Sequence, residues 1–499
     1  MKKLKKVFAG VLALSLAASM AACNDATETG GATGTNVAGE TTTAAPGDET
    51  TAATTTRATV AVVSTEVLAD EKTIIENAAA KLPDIELASN EIKWLASYDK
   101  NPNDQGQAAK PPLLLFQEKY NGSIKWYSTT YEARFTDLST YVNGGEGIDF
   151  WPGDDQDNYP NGVINGQFEA VDPYIDLSDP LWDKTREAME LFKFGSQHYA
   201  FVYAVNPEYV TYYSKATIDE FGLEDPYEQW KAGEWNWDTF KASLKDYVDS
   251  ENDQFGLDGF ALEKALFLSA GVPMVGMKDG NLVCNINDPI VEKAMNFGTE
   301  LFNEDLIVQG QPYQANGTEY PSYLGQGKQL FYLDGIYNFE MASDLWDSEL
   351  EPDDVGLVPV PSPAGSPNYM SAKVESYTLL KGGANPEGVA AYVLCHLIAS
   401  QMPELDAIEQ RQQRSDYGWT DEFIQARSEI NAAAAANPVV DFAPGSSQDI
   451  NSLTYAGGNG AGIRSSYHGA DWATTRSELA EVLIMLVDEL NVKMQNQLA

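Results

Sequence analysis

The sequence predicts an α/β protein, because from Ile92 onward short apolar runs typical of buried strands alternate with segments of helical periodicity. Three of these runs lie at 93–97, 200–203 and 355–358. The chain has 499 residues, which is long enough for two or three domain-sized units with a sizeable core. No repeat of solenoid period is visible. We therefore expect helices packed in layers on sheets.

Three helices are indicated by the sequence. One follows Asp288-Pro289, where Asp288 can cap the first turn and Pro289 suits it. A second begins at Asn385-Pro386, and a third spans 237–248. Their apolar positions predict these buried faces: Val291, Met295, Gly298 and Leu301 or Phe302 in the first; Val389, Val393 and Leu397 in the second; Phe240, Leu244 and Tyr247 in the third. These are ordinary core helices, and we assign them no chemistry.

The amino terminus predicts an export signal with a lipid-attachment site. Four lysines within the first six residues precede an apolar stretch at 7–18 that is too short to span a membrane comfortably. Met20, Ala21, Ala22 and Cys23 then match a bacterial lipobox, with Met20 in the place of the usual Leu. We expect residues 1–22 to be removed and Cys23 to be acylated, which anchors the protein on the extracytoplasmic face of the cell membrane.

The segment after Cys23 is composed mainly of Thr, Ala, Gly and Glu as far as about residue 58. Such a composition cannot bury enough apolar surface to offset the entropy of ordering. For residues 60–88 the expectation is a poorly packed helix or lead-in. We interpret 23–88 as a disordered tether and lead-in to the folded part.

Composition excludes several classes of function. The formal net charge of -42 disfavours nucleic acid and anionic lipid surfaces as partners. Only Cys284 and Cys395 remain beyond Cys23, so no disulfide framework is expected. The three histidines lack zinc-site spacing, and the acidic cluster at 154–157 lacks the Gly and distal Glu of an EF-hand, so no metal or cofactor is expected. No nucleophile elbow, His-Glu-x-x-His or Walker loop is present, and the Gly-rich string 457–462 indicates a flexible loop.

Five local signatures occur in an order that resembles the family 1 extracellular solute-binding proteins, which include maltose-binding and other sugar-binding receptors. The segment 209–215 is similar to the family's "lyYNk" strand, with Ser214 in place of Asn. Residues 221–240, with FGLEDP, Trp230 and GEWNWDTF, resemble its "aGl.dPP.tWdef" passage most closely. Residues 253–257, 325–331 and 358–361 are similar to its "DqyG", "GkaAM" and "vaplP" elements.

This resemblance covers the chain from about residue 92 to its end and implies a class II periplasmic-binding-protein fold, in which strands cross between two lobes. It places lobe 1 at 89–204 and 332–400, and lobe 2 at 205–331 and 401–499, the last part forming carboxyl-terminal helices. The crossings are expected near 202–207, 330–334 and 399–404.

The resemblance also implies a ligand site in the cleft between the lobes. A sugar needs aromatic faces for stacking and carboxylates or amides for its hydroxyls. Segment 148–155 resembles the "iiFWahDr" loop of maltose-type receptors, which makes Trp151 and Asp154 candidates, and Asp155 stands where that loop has a basic residue. The other candidates are Tyr98, Asp99 and Lys100 after the first strand, Tyr337 at a strand end that resembles "nGpW", and Arg464, Tyr467 and Trp472 near the carboxyl terminus.

The sequence therefore predicts a monomeric, non-catalytic receptor that captures a sugar or oligosaccharide and delivers it to the permease of an ABC importer. Three alternatives remain open. In the first, the ligand is not a sugar but a peptide, a polyamine or a phosphorylated polyol. In the second, the protein is a secreted glycoside hydrolase, since 74 acidic residues allow a chance catalytic pair. In the third, the receptor reports to a sensor kinase instead of an importer.

Overall fold

The computed structural model describes residues 69–102, 108–131, 133–153, 158–308, 321–336, 349–456 and 462–498. All of them lie in one compact unit, Val60–Ala499. Cys23, Asp154, Asp155 and Tyr337, together with most of the expected tether, lie outside the described residues. Among those residues, no helix combines the length and the apolar character that a membrane crossing requires.

The described residues form strands in the following order: β1 Glu91–Ala96, β2 Ser123–Ser128, β3 Phe150–Pro152, β4 Phe168–Glu169, β5 Lys193–Phe194, β6 Gln197–His198, β7 Phe201–Pro207, β8 Tyr209–Ser214, β9 Phe255–Asp258, β10 Val275–Lys278, β11 Asn281–Cys284, β12 Gln329–Gly335, β13 Val355–Pro359, β14 Met370–Leu380 and β15 Pro438–Val439.

The α-helices are α1 Ala69–Ala79, α2 Pro111–Tyr120, α3 Arg134–Gly144, α4 Asn161–Ile164, α5 Arg186–Met189, α6 Lys215–Phe221, α7 Pro226–Ala232, α8 Trp237–Tyr247, α9 Leu262–Leu268, α10 Pro289–Asn303, α11 Pro321–Gly325, α12 Pro386–Ala399, α13 Pro403–Tyr417, α14 Asp421–Ala436, α15 Ala443–Ser446, α16 Gln448–Asn451, α17 Ile463–Ser466 and α18 Trp472–Leu498. Short 3₁₀ turns at Asp172–Tyr174, Pro180–Trp182, Glu190–Phe192 and Ser250–Asn252 and a π-helical turn at Ser452–Ala456 complete the described elements.

Two sheets organise the described residues. The first has the order β15-β14-β3-β1-β2, with β4 and β7 also paired to β14; β1, β2 and β3 are parallel to one another. The helices α1, α2 and α12 pack together, and α12 contacts β1, β7 and β14. The second sheet has the order β13-β8-β12-β9, with α14 and α7 against β13, α8 against β9 and α9 against β12. We call the parts around these sheets lobe 1 and lobe 2.

The three predicted helices begin where the sequence predicts, and each has a side-chain cap at its start. Asp288 accepts a hydrogen bond from the Ile290 N–H at the start of α10, and Asn385 accepts one from the Gly388 N–H at the start of α12. In α8 the Asn236 side chain and Thr239 form a capping box. Each cap satisfies N–H groups that have no partner within the helix.

The expectation of a poorly packed lead-in at 60–88 is wrong for its described part. Ile75, Ala78 and Ala79 of α1 are buried in the main core, as is Leu82 after it. This burial occurs because α1 lies on α2 and α13, and the carboxylate of Glu71 also pairs with the Arg411 guanidinium at 2.8 Å. Lobe 1 therefore begins at α1.

The strand pairings also move the predicted lobe boundaries. Strand β12, which contains the expected second crossing, pairs with β8 and β9, and β13 pairs with β8, so both belong to lobe 2 and not to lobe 1. The chain returns to lobe 1 through 360–369, since β14 pairs with β7, β3 and β4. Helix α13 packs on α1 and α2 of lobe 1, so the expected third crossing near 399–404 and the assignment of all of 401–499 to lobe 2 are also wrong.

The first crossing is very short. Strand β7 ends at Pro207 in the first sheet, β8 begins at Tyr209 in the second, and Glu208 alone separates them. The Glu208 N–H donates to the Ser371 carbonyl at 2.8 Å, which ties this residue to the start of β14. A single residue thus joins the two sheets at this point.

Candidate functional site

The parallel strands of the first sheet bring several polar and aromatic side chains together at their carboxyl ends. The Ala96 carbonyl at the end of β1 accepts two hydrogen bonds, from the Trp126 indole at 2.9 Å and from the Thr129 N–H at 3.1 Å. Tyr98 lies two residues further along and is 40% exposed. In open α/β sheets this edge is where ligands bind.

Lys100, one of the residues predicted from the sequence, is held against aromatic rings. Its ammonium nitrogen lies 4.7 Å from the ring centre of Trp94, 5.2 Å from that of Tyr98 and 4.7 Å from that of Tyr377. The Trp94 indole donates to the Tyr98 carbonyl at 3.0 Å. Cation–π contacts of this kind contribute about 0.5–2 kcal/mol each. Lys100 therefore supports the Tyr98 ring in this conformation.

Asp99, between these two residues, stabilises its own turn. Its Oδ1 accepts the Asn101 N–H at 3.0 Å and the Asn101 side-chain amide at 2.8 Å. The same amide donates to the Ile124 carbonyl of β2 at 3.1 Å. The loop that carries Tyr98, Asp99 and Lys100 is thus fixed to both β1 and β2.

A buried aromatic layer lies beneath Lys100. The Tyr377 hydroxyl is 3.0 Å from Nε2 of His396, whose ring stacks on Tyr203 at a centroid distance of 4.1 Å. Burial, together with the charges of Lys100 and Lys110, lowers the pKa of His396 well below its usual value. His396 is therefore a neutral hydrogen-bonding group, and its burial leaves it no direct access to a ligand.

Trp151 lies on β3 and is only 2% exposed. Its carbonyl accepts the Thr378 hydroxyl at 3.4 Å, and its ring lies 6.3 Å from that of Phe135. In this conformation its side chain packs in the core beside the strand ends. Its role in ligand binding stays a prediction, as do those of Asp154, Asp155 and Tyr337.

The carboxyl end of β9 in the second sheet carries a second set of groups. Asp258 is followed by Gly259, whose φ of +146° and whose closeness to the Leu333 carbonyl, 2.1 Å from an ideal Cβ, allow no side chain. Phe260 comes next and is 51% exposed. The tight turn at Gly259 thus lies between a buried carboxylate and an exposed ring.

The pKa of Asp258 is raised. Burial raises this pKa to about 6, although the hydrogen bond from the Gly259 N–H acts to lower it. Its buried Oδ2 has no hydrogen-bond partner among the described residues. An unsatisfied buried carboxylate oxygen is costly, and such groups are concentrated at functional sites.

Arg464 belongs to the same region of lobe 2. The carboxylate of Glu263 accepts from Nε of Arg464 and lies near Nε2 of His468, both at 3.2 Å. Burial would raise the pKa of Glu263, but the His468 hydrogen bond and the Arg464 charge outweigh this and lower it. We call Asp258, Phe260, Glu263, Arg464 and His468 the lobe 2 group.

Tyr467 and Trp472 are fully buried in lobe 2. The Tyr467 hydroxyl donates to the Ala294 carbonyl at 3.4 Å, and its ring fills the space above Gly298 of α10. The buried Trp472 indole N–H has no partner among the described residues. These side chains have no free surface for a sugar in this conformation, so the ligand contacts expected of them stay a prediction.

A polar cluster surrounds the crossing between the sheets. The Glu208 carboxylate accepts from Lys264 at 2.8 Å and from the Ser371 hydroxyl, while the Lys264 ammonium lies 5.3 Å from the Tyr209 ring centre and 5.4 Å from that of Tyr455. Burial would raise the pKa of Glu208, but the charge and hydrogen bond of Lys264 lower it. Since Lys264 follows Glu263 on α9, this polar cluster of Glu208, Lys264 and Ser371 adjoins the lobe 2 group.

Sequence reasoning missed Trp126, Asp258, Phe260, Glu263 and Lys264. Asp258, Phe260, Glu263 and Lys264 could have been noticed from their position, because 258–264 directly follows the "DqyG"-like turn, but no signal in the sequence pointed to Trp126. Within the described parts of the chain, no group of three or more His, Cys, Asp or Glu side chains is arranged to hold a metal ion.

No family model matches the sequence. No curated protein matches it at a significant level either. Solved structures, however, match it over most of its length. An extracellular solute-binding protein from Staphylococcus aureus in complex with maltose has 13% identity and a TM-score of 0.57, and the match covers 81% of this chain and 99% of that one.

Two further structures give the same result. The ABC transporter associated binding protein from B. animalis subsp. lactis, in complex with beta-1,6-galactobiose, has 16% identity and a TM-score of 0.54, covering 81% of this chain and 98% of that one. The sugar-binding protein MalE from Xanthomonas citri has 13% identity and a TM-score of 0.55, covering 80% and 98%. At these identities the likeness shows the fold: this chain has the two-lobe α/β fold of solute-binding proteins, as the sequence predicted.

Proposed function

We propose that this chain, which has the two-lobe fold of extracellular solute-binding proteins, is the solute-binding component of an ABC importer. Its ligand is a sugar or oligosaccharide, held between the lobes without chemical change. One observation carries the proposal: in a fold shared with sugar-binding structures, the exposed rings of Tyr98 and Phe260 and the buried carboxylate of Asp258 lie at strand ends of the two sheets.

The chemistry of these groups suits a carbohydrate. Tyr98 and Phe260 offer flat apolar faces to the C–H patches of a sugar. Asp258 and Glu263 accept hydrogen bonds from hydroxyls, and Arg464 donates them. A neutral sugar also suits a site where cations and carboxylates are already paired, as Arg464 is with Glu263.

Lobe closure would transmit the bound state to the importer. A ligand that contacts both lobes only in the closed form favours that form by its differential affinity. The single-residue crossing at Glu208 is the natural point for such a rotation, because it joins the two sheets directly. A permease in the membrane would then distinguish the closed form from the open form.

The proposal includes the anchoring that the sequence predicts. Acylation of Cys23 would hold a monomeric receptor at the extracytoplasmic face of the membrane, and the segment 24–68 would give it reach toward the permease. Metabolic labelling with a palmitate analogue would test it: label is expected on the native chain and not on Cys23→Ser, and label on both would contradict it.

The test of ligand class is a melting screen with mono- and oligosaccharides, including maltose and β-1,6-galactobiose, beside peptides, polyamines and phosphorylated polyols. A native-state ligand at 100 times its dissociation constant adds about 2.7 kcal/mol, which is a rise in Tm of about 3 °C for a chain of this size. A rise with a non-sugar solute and with no saccharide would overturn the sugar assignment. Turnover of chromogenic glycosides would show a hydrolase instead.

A matched pair of variants connects the screen to the site. Phe260→Ala is expected to weaken saccharide binding by about tenfold, because it removes a stacking face. Phe221→Ala removes another exposed phenyl ring, which lies at the end of α6 and is 37% exposed, and it is expected to leave binding unchanged. Equal effects of the two changes would remove Phe260 from the site.

A further inference from the structure

We propose that lobe 1 carries an aromatic platform formed by Tyr98, Trp126 and Tyr131, and that this platform selects an oligosaccharide of at least three units over a monosaccharide. The inference rests on the proposed function and specifies its ligand further. Large aromatic side chains are normally buried, yet Trp126 is 37% and Tyr131 58% exposed, beside the exposed Tyr98.

One backbone carbonyl links the segments that carry the three rings. The Ala96 carbonyl accepts both the Trp126 indole N–H and the Thr129 N–H, and Tyr98 and Tyr131 each lie two residues beyond these contacts. The three side chains therefore belong to segments that meet at the carboxyl ends of two neighbouring parallel strands, β1 and β2.

The Tyr131 ring and the turn that leads to it are held in place. The Arg134 guanidinium lies 3.5 Å from the ring centre of Tyr131 and 4.4 Å from that of Phe135, and it donates to the Tyr131 carbonyl. The Thr129 hydroxyl donates to the Asp137 carboxylate at 2.6 Å, which fixes the turn that leads to Tyr131. Preorganised rings cost little entropy on binding, so they favour stacking.

A saccharide fits this surface better than a protein strand does. Strand β2 is an edge of the first sheet among the described residues, and an open edge can pair with another chain. Here the Ile124 carbonyl of that strand already accepts a hydrogen bond from the Asn101 amide, and Lys125 adds a positive charge, so the edge is less suited to pairing with another strand. A ligand that is flat on its C–H faces and polar at its rim matches rings surrounded by such groups.

The test measures which length of saccharide the full chain retains. Pools of one to six units, made by partial acid hydrolysis of amylose, galactan, mannan and xylan, are incubated with the protein, and bound species are identified by native mass spectrometry. The wild type is expected to retain species of three or more units, with affinity rising about tenfold from one unit to three. Retention of monosaccharides alone would overturn the inference while leaving the proposed function intact.

Variants separate the platform from the rest of the site. Trp126→Ala and Tyr131→Ala are expected to abolish the gain in affinity with length, whereas Trp126→Phe is expected to restore most of that gain. Phe221→Ala serves as the exposed-ring control. An unchanged length profile in both alanine variants would refute the platform, and retention of no saccharide at all would refute both this inference and the proposed function.

Discussion

Replacing Asp258 by Asn should stabilise the ligand-free protein at neutral pH. Burial raises the pKa of Asp258 to about 6, whereas an unfolded Asp titrates near 3.9. The folded state thus holds the proton more tightly, and stability falls as the pH rises from about 4 to about 6. Each pKa unit corresponds to about 1.4 kcal/mol, so the ionised carboxylate costs about 3 kcal/mol above pH 7.

An amide has the shape of the protonated acid and no charge to desolvate, so Asp258→Asn escapes this cost. Urea unfolding of both proteins should show a gain of about 3 kcal/mol for the variant at pH 8 and of less than about 1 kcal/mol at pH 4. Groups that are common to both proteins contribute equally to each, so their effects largely cancel. Asp219→Asn, at an exposed site on α6, is the matched control and should change the free energy of unfolding by less than about 0.5 kcal/mol.

The same change should weaken saccharide binding by about tenfold, since a carboxylate accepts hydroxyls more strongly than an amide does. Greater stability with poorer binding is the pattern expected where a protein keeps an unfavourable group for function. A variant that is no more stable than the wild type at pH 8, or whose gain is the same at pH 4, would refute this account of Asp258.

Three other changes test further parts of the structure. Trp151→Ala should weaken saccharide binding by at least tenfold, about 1.4 kcal/mol, and lower the free energy of unfolding by about 3–5 kcal/mol; an unchanged calorimetric affinity removes Trp151 from the site. Glu208→Gln should lower the free energy of unfolding by about 1–3 kcal/mol, because it leaves the half-buried Lys264 without its charged partner, whereas Glu422→Gln at the surface should cost less than about 1 kcal/mol; similar losses in chemical denaturation would mean that the Glu208–Lys264 pair is not special. Gly298→Ala places a Cβ 2.6 Å from the Tyr467 ring and should lower the free energy of unfolding by about 1–3 kcal/mol; no change in the denaturation midpoint would contradict the packing described for Tyr467.

Local signals predicted the elements whose cause is local. Asp288 and Asn385 cap α10 and α12 because a side-chain oxygen followed by proline suits the first turn of a helix, whatever surrounds it. The apolar runs at 93–97, 200–203 and 355–358 coincide with β1, β7 and β13 apart from Ser97 and Ala200, because a short apolar run is itself typical of a buried strand. The α/β class followed directly from these patterns.

Contacts between distant segments explain the differences. The residues of β12 and β13 do not indicate which of the two sheets each strand joins. Only their pairing with β8 places them in lobe 2. Helix α1 has little apolar periodicity of its own, and it is buried because α2 and α13 cover it. Tyr467 and Trp472 were sensible candidates by position, but their exposure depends on how α10 packs against them.

Sequence patterns by themselves determined the α/β class and the starts of three helices, and the resemblance to solute-binding proteins predicted the two-lobe fold and the loop that carries Tyr98, Asp99 and Lys100. Only the tertiary structure decided that Lys100 faces three rings, that Glu208 alone separates β7 from β8, and that Asp258 is buried while Phe260 is exposed. Caps and periodicity act over a few residues and can be read along the chain. Burial and charge pairing also depend on segments that are distant in sequence, such as those of Glu263 and Arg464, which are 201 residues apart, and no local pattern records such contacts.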